Sequence, residues 1–149
     1  NNGQIQSHHT ALTGELFDIL LRHSILVKDR TLLSEGWEDA FTEGVRRSLE
    51  LQETTLLHSL FEVRARQLNG SLPADQAAAT LSGYLIGRDV FGALRLYTDR
   101  FDPVDPITII GASHLTTAYR VAIEASGVQG IERDGALSAL AGLRAFYSR

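Results

Sequence analysis

The chain has 149 residues, 44% hydrophobic and 21% charged, a composition that fits one globular domain and favours neither a disordered chain nor a coiled coil. Its net charge is −4 and Lys28 is its only lysine, which argues against a nucleic-acid partner. Cysteine is absent, which excludes thiolate chemistry and is compatible with a cytoplasmic location, and the apolar runs are too short to cross a membrane. The chain lacks methionine and begins Asn1-Asn2-Gly3, so we expect a fragment or a processed product.

The N-terminal segment predicts a weak strand and then a helix. Residues 4–11 are mostly polar and have no helical stripe, which favours an extended segment. Thr13 is expected to cap a helix that begins at Gly14. The buried stripe of this helix is predicted to comprise Leu16, Phe17, Leu20, Leu21, Ser24 and Val27.

Two more helices are predicted before residue 70. The second begins near Trp37, which we expect to pack in the core. The third ends at Asn69-Gly70, and Arg64 lies on its apolar stripe. Because an unpaired buried charge is costly, we expect Arg64 to pair with Glu15 or Asp89, in preference to holding an anionic substrate. The predicted stripe comprises Leu57, Leu60, Phe61, Arg64 and Leu68.

A fourth helix, rich in small residues, begins at Pro73 and Asp75. Gly83 and Gly87 lie one turn apart inside it, although glycine costs about 1 kcal/mol in a helix interior. We therefore expect a close approach at this face, and we favour tight helix packing over contact with a ligand.

The last part of the chain predicts a parallel α/β unit. The prolines of 102–106 break the chain before a strand at Ile107–Gly111, and a helix follows in the pattern from Leu115. Residues 128–132 are expected to form a second strand, and Asp134 is expected to cap a final helix. Strand, helix, strand in this order predicts a right-handed parallel crossover.

The junction around Gly111 is the most informative feature of the chain. Gly111 and Ala112 carry almost no side chain, and the helix that follows offers free N–H groups, which suits a nucleotide or another anion. A purely structural turn explains the pattern equally well. Neither common phosphate-binding glycine loop is present, the histidine spacing predicts no metal site, and Leu115 stands where a Ser113 nucleophile elbow requires glycine.

Several ordered segments together carry a family resemblance. They are Thr13-Gly14-Glu15-Leu16, Leu20-Leu21-Arg22-His23-Ser24-Ile25-Leu26, Asp39-Ala40-Phe41-Thr42-Glu43-Gly44, Leu60-Phe61-Glu62-Val63-Arg64-Ala65, Leu81-Ser82-Gly83-Tyr84-Leu85-Ile86-Gly87, Ile110-Gly111-Ala112-Ser113, Asp134-Gly135-Ala136 and Ala141-Gly142-Leu143. In this order they resemble the C-terminal half of the 2-dehydro-3-deoxygalactonokinase family, over nearly the whole chain.

The resemblance implies an α/β fold, helix-rich, of the ribonuclease H-like or actin-like ATPase type found in sugar kinases, in which two lobes enclose ATP. Residues 1–149 would be the C-terminal lobe, without the N-terminal lobe and its phosphate loop. Gly111, Ala112 and Ser113 would line the adenine and ribose side of the cleft, and Thr13 and Gly14 would lie near the phosphates. The catalytic base would lie in the missing lobe, so none is assigned and the fragment alone would be inactive.

The implied reaction transfers the γ-phosphoryl group of ATP to 2-keto-3-deoxygalactonate in galactonate breakdown, with Mg²⁺ bridging the phosphates. The partners would be this small sugar acid and the missing lobe, with a homodimer as a further expectation. Two alternatives stay open at this point. One is an α/β domain for another nucleotide or a methyl donor, with Glu132 contacting a ribose, and the other is a helical interaction module that uses the Gly83 and Gly87 face.

Overall fold

A computed structural model describes residue 5 and residues 7–31, 34–51, 53–97 and 105–147. The elements run α1 (Thr13–His23), α2 (Trp37–Glu50), α3 (Leu56–Leu68), a 3-10 turn (Ala74–Gln76), α4 (Ala77–Tyr97), β1 (Ile107–Gly111), α5 (Ser113–Ala125), β2 (Gly130–Asp134) and α6 (Gly135–Tyr147). The protein is therefore a helix-rich α/β structure with a small parallel sheet, as the sequence predicted.

Helix α4 is the centre of the fold. Eleven of its residues are buried, because small and aliphatic side chains line nearly its whole circumference. Helices α1 and α3 pack on one side of α4 and α2 and α5 on another, which gives two core clusters. The long helix thereby joins the two halves of the structure.

The crossing of α2 and α4 confirms the prediction of tight packing at Gly83 and Gly87. A Cβ atom on Gly83 would lie 2.9 Å from the Val45 amide nitrogen, and one on Gly87 would lie 3.1 Å from the Ser48 Cβ. At Gly83 the blocking atoms belong to the α2 backbone, so a larger side chain would force the helices apart, whereas at Gly87 the Ser48 side chain would have to move. The face is therefore internal, and it is not available to a protein partner in the way that the helical-module alternative requires.

Strands β1 and β2 are parallel, in a register that runs from Ile107 opposite Gly130 to Gly111 opposite Asp134. The predicted second strand was two residues too early, but its pairing direction is confirmed. Asp134 caps α6 as expected, since its Oδ1 accepts a hydrogen bond of 2.8 Å from the Leu137 amide. The predicted break at 102–106 lies mostly outside the described residues, and Asp105 and Pro106 are in neither helix nor strand.

Helix α6 packs along both strands, yet none of its residues is buried. Its apolar side chains are exposed over more than two-fifths of their surface: Leu137, Leu140, Leu143, Phe146 and Tyr147. Ile110, on β1, is also 60% exposed. A contiguous apolar face of this kind is typical of a surface that another polypeptide segment covers.

Three local predictions were wrong. Residues 5 and 7–12 form no strand. Thr13 is the first residue of α1 rather than its cap, because its hydroxyl bonds to Asp89 across the fold, and Leu12 occupies the cap position. Helix α1 ends at His23, so Ser24 and Val27 lie in the following loop.

The buried face of α3 was predicted correctly only at Leu60. The structure buries Ser59, Leu60 and Val63 against α4, while Leu57 and Phe61 are exposed. Apolar residues occur on two overlapping stripes of this helix, so periodicity alone does not decide which stripe faces the core. The stripe with the smaller side chains is the one that packs on α4.

Candidate functional site

The site begins with a cavity of about 530 Å³ between α1, α2, α4 and α5. This volume lies within the range of small-molecule pockets. The lining is mostly apolar and rich in aromatic rings, a surface suited to a flat, partly apolar ligand: Thr13, Gly14, Phe17, Asp18, Trp37, Phe41, Ala78, Ala79, Ser82, Leu85, Ile86, His114, Leu115, Ala118 and Tyr119.

Two helix N-termini meet at this cavity. Helix α1 contributes Thr13 and Gly14, and α5 contributes His114 and Leu115. Among the described residues, no side chain caps either N-terminus. The first-turn N–H groups of a helix carry a partial positive charge, so both ends favour an anionic group in the space between them.

A carboxylate links the two helices that bring these N-termini together. The Oδ2 atom of Asp89, on α4, accepts a hydrogen bond of 2.7 Å from the Thr13 hydroxyl and one of 2.8 Å from the Tyr119 phenol. Burial, and after it the hydrogen bond to Asp89, raise the pKa of Tyr119 to about 12. The phenol therefore stays protonated and remains a donor at neutral pH.

The five predicted site residues fall into two groups. Thr13 and Gly14 lie on the cavity wall. Gly111, Ala112 and Ser113 are absent from its lining and come directly before His114 and Leu115, which line it. Gly111 faces the start of α6, since a Cβ on Gly135 would lie 3.2 Å from the Gly111 Cα.

Arg64 does not form the ion pair that the sequence predicted. Within the described part of the chain it has no acidic partner, and it lines a separate pocket with Lys28 and Gln67. Most of the stripe predicted to be buried with Arg64 is exposed, namely Leu57, Phe61 and Leu68, so Arg64 does not lie in the core and needs no buried partner. Asp89, one of its predicted partners, is already bonded to Thr13 and Tyr119.

Glu132 is engaged in contacts of its own. Its Oε2 accepts a hydrogen bond of 2.5 Å from the Thr116 hydroxyl, and its Oε1 accepts one of 2.6 Å from Arg120 Nε. These donors lower the pKa of Glu132, with the Thr116 hydroxyl as the largest cause. The carboxylate thus braces α5 against β2, and a role in binding ribose would require it to give up these donors.

The described residues contain no group of three or more His, Cys, Asp or Glu side chains that could hold a metal ion. In the same part of the chain, no helix combines the length and the apolar character that crossing a membrane requires.

Sequence reasoning missed most of the cavity wall. Trp37 was assigned to the core, and His114 was given no role, since the histidine spacing predicted no metal site. The aromatic character of the cavity arises from side chains on three different helices, Phe17, Trp37, Phe41 and Tyr119. No local motif brings them together.

Comparisons with known proteins agree on one family. The family model described as 2-keto-3-deoxy-galactonokinase matches residues 1–146. A probable 2-dehydro-3-deoxygalactonokinase from Rhizobium meliloti (strain 1021) is 37% identical over 141 residues, which cover 91% of this chain and 44% of that protein. The 2-dehydro-3-deoxygalactonokinase of Escherichia coli (strain K12) is also 37% identical over 141 residues, covering 95% of this chain and 46% of the relative.

A solved structure shows the same likeness in three dimensions. A Sinorhizobium meliloti protein assigned as a 2-dehydro-3-deoxygalactonokinase superposes with a TM-score of 0.71 at 37% identity, covering 92% of this chain and 43% of that chain. The chain therefore spans less than half the length of the relatives that it matches.

Proposed function

The chain belongs to the 2-keto-3-deoxy-galactonokinase family, and from this premise we propose that it forms the C-terminal lobe of a sugar-acid kinase. The proposed reaction is transfer of the γ-phosphoryl group of ATP to 2-dehydro-3-deoxy-D-galactonate, which gives the 6-phosphate. The observation that carries the proposal for this chain is the convergence of two helix N-termini on one aromatic-lined cavity.

We propose that the nucleotide binds in this cavity. The rings of Phe17, Trp37 and Phe41 offer apolar faces to a base, and the N-termini of α1 and α5 attract the negative charge of the phosphates. Thr13 and Gly14 would lie nearest the phosphates. Gly111, Ala112 and Ser113 would support the base and ribose side by placing the start of α5.

The remaining surface supports a second lobe. The exposed apolar face of α6 and the exposed Ile110 need cover, and a sheet of two strands is marginal in isolation. A longer polypeptide with two lobes of the actin-like type would supply strands beside this sheet and close over the nucleotide. We place the reaction in the cytoplasm, where ATP is available as the phosphoryl donor.

In this proposal the lobe contributes binding and orientation. Phosphoryl transfer depends mainly on positioning and on stabilisation of charge, and Mg²⁺ supplies part of that stabilisation when bound. The described residues offer no cluster of metal ligands, so we assign no metal-binding residue among them. We assign no catalytic base to the described residues.

The test is ADP release by a family-length protein that contains this chain, with ATP and either 2-keto-3-deoxygalactonate or 2-keto-3-deoxygluconate as acceptor. Turnover that depends on the galactonate derivative supports the proposal and ranks the two epimers. A folded protein that turns over neither acid contradicts it.

A pair of variants tests the location of the nucleotide. Ser82→Leu adds bulk to the cavity wall, whereas Thr42→Leu adds a similar side chain at an exposed position of α2. We expect Ser82→Leu to raise the Kd for ATP at least about tenfold, and Thr42→Leu to leave it unchanged. Equal Kd values for the two variants would place the nucleotide elsewhere.

A further inference from the structure

We propose that Asp89 is a positioning residue of the nucleotide site, whose carboxylate holds the first turn of α1 at a fixed place relative to α5. The inference rests on the proposed function, because it assumes that the cavity between these helices binds the nucleotide. It adds a residue that does not line this cavity and that acts through two residues that do, Thr13 and Tyr119.

The acceptor itself has a fixed position. Asp89 lies on α4 between the buried residues Ile86 and Val90, which anchor this part of the helix in the core. One oxygen, Oδ2, serves both donors, so the Thr13 hydroxyl and the Tyr119 phenol are held at a common point. Thr13 lies 76 residues before Asp89 in the sequence and Tyr119 lies 30 residues after it, so the carboxylate joins distant parts of the chain.

The first turn of α1 has few other anchors. Leu12 is 62% exposed, and Glu15 is exposed as well. Gly14 has no side chain, and a Cβ built there would meet nothing within 4 Å. Leu16 and Phe17 pack against the core at the end of this turn, and the Thr13–Asp89 hydrogen bond fixes its beginning, where the N–H groups face the cavity.

Tyr119 completes the link on the other side. Its ring lines the cavity, and its hydroxyl is held by the same carboxylate oxygen that holds Thr13. Loss of the carboxylate would remove the hydrogen bonds of both Thr13 and Tyr119, whereas loss of one donor would remove only one of them. Because binding groups must be held within fractions of an ångström, such a loss weakens nucleotide binding before it affects the fold.

The same chain contains a matched control bond. The phenol of Tyr84 donates a hydrogen bond of 2.6 Å to Glu62 Oε2, and neither residue lines the cavity. Glu62 also binds Arg47, so its removal costs stability in the same general way as removal of Asp89. A purely structural role for Asp89 predicts that the two carboxylates behave alike.

The experiment compares Asp89→Ala, Asp89→Asn and Glu62→Ala in the family-length protein. We expect Asp89→Ala to raise both the Kd and the KM for ATP at least about tenfold, with the KM for the sugar acid within about twofold of the parent value. Asp89→Asn should restore most of the ATP affinity, because its amide oxygen can accept both hydrogen bonds. Glu62→Ala should lower Tm and leave the Kd for ATP unchanged.

The inference is overturned if Asp89→Ala and Glu62→Ala change the Kd for ATP equally, or if Asp89→Asn rescues nothing. Should Asp89→Ala fail to fold, Thr13→Val removes only the hydroxyl donor and should still raise the Kd for ATP several-fold. Turnover of the sugar acid by the parent family-length protein tests the proposed function separately. A parent that binds ATP without turnover still reports on Asp89 through Kd, and a parent that binds no ATP overturns both proposals.

Discussion

Gly44 on α2 and Gly83 on α4 face each other where the two helices cross, and a Cβ atom added to either would lie 3.1 Å from the Cα of the other. The added atom on Gly83 would also overlap the Phe41 carbonyl oxygen. The two backbones therefore touch directly. This contact sets the distance between the helices that carry Phe41 and Ser82, on two walls of the cavity.

We expect Gly83→Ala to lower the free energy of unfolding by at least about 2 kcal/mol, because the methyl group must separate two packed backbones. Gly92→Ala is the control on the same helix. A Cβ there meets nothing within 4 Å, so the substitution should stabilise the protein by about 0.5–1 kcal/mol through helix propensity. Urea unfolding measures both values, and equal stabilities would contradict the packing.

The sequence predicted this contact because glycines inside a helix are costly and conspicuous. It also predicted the parallel β1–α5–β2 unit, where β-branched residues, a glycine turn and a capping aspartate act over a few positions. Features of this kind can be predicted because they depend on residues that are close together in the sequence. The buried face of α3 was predicted only in part, because two apolar stripes overlap on this helix. Packing against α4 selects between them.

The candidate site could be predicted from the sequence only in its local parts. Thr13 and Gly14 were recognised as a helix start, and they do lie at the cavity. The partner of Thr13 is Asp89, which no spacing rule reveals, since it depends on how α1 lies across α4. A residue whose role comes from distant contacts requires the folded structure.

The phenol of Tyr84 gives a prediction about pH. Burial, and then the hydrogen bond to Glu62, raise its pKa to about 12 from an ordinary value of 10.0. The folded state therefore keeps a proton that the unfolded state loses. Its contribution to stability is complete below pH 10 and is lost as the pH rises through about 12.

Absorbance at 295 nm can detect this phenol among the four tyrosines of the chain. In the folded protein, titration to pH 11 should give the same change for the parent and for Tyr84→Phe, because Tyr84 has not ionised. In guanidinium chloride the parent should show one more titrating tyrosine than the variant. If the folded parent shows a larger absorbance change than folded Tyr84→Phe below pH 11, the phenol is not held as described.

The contact between Thr116 and Glu132 gives a prediction of the opposite sign. The pKa of Glu132 lies below its ordinary value of 4.5, so its contribution to stability is present above that pH and is lost as the pH falls through the lowered pKa. Thr116→Val removes the hydrogen bond that lowers the pKa of Glu132 most, so the pKa should rise. The hydrogen bond from Arg120 should still keep it below the ordinary value. Carbon NMR of the side-chain carboxyl group measures the change.

Thr117→Val is the matched control for this measurement. The Thr117 hydroxyl lies 3.2 Å from the same Glu132 oxygen and is exposed, so its loss should move the pKa of Glu132 less. A larger change from Thr117→Val than from Thr116→Val would contradict the described network.

The exposed face of α6 allows a test of the proposed second lobe through stability. Leu143 is 56% exposed, whereas Leu81 is fully buried in α4. In the 149-residue chain, Leu143→Ala should cost less than about 0.5 kcal/mol and Leu81→Ala about 2–5 kcal/mol. If the remaining polypeptide covers α6, Leu143→Ala should cost at least about 1.5 kcal/mol more in a family-length protein, because the leucine is then buried.

Denaturant unfolding measures these differences when each of the two proteins carries one substitution at a time. Leu81→Ala should cost a similar amount in the two proteins, since its surroundings are complete within this chain. A Leu143→Ala substitution that is neutral in both would show that α6 remains exposed. The apolar face would then not be the contact between lobes, and the proposed two-lobed arrangement would need a different surface.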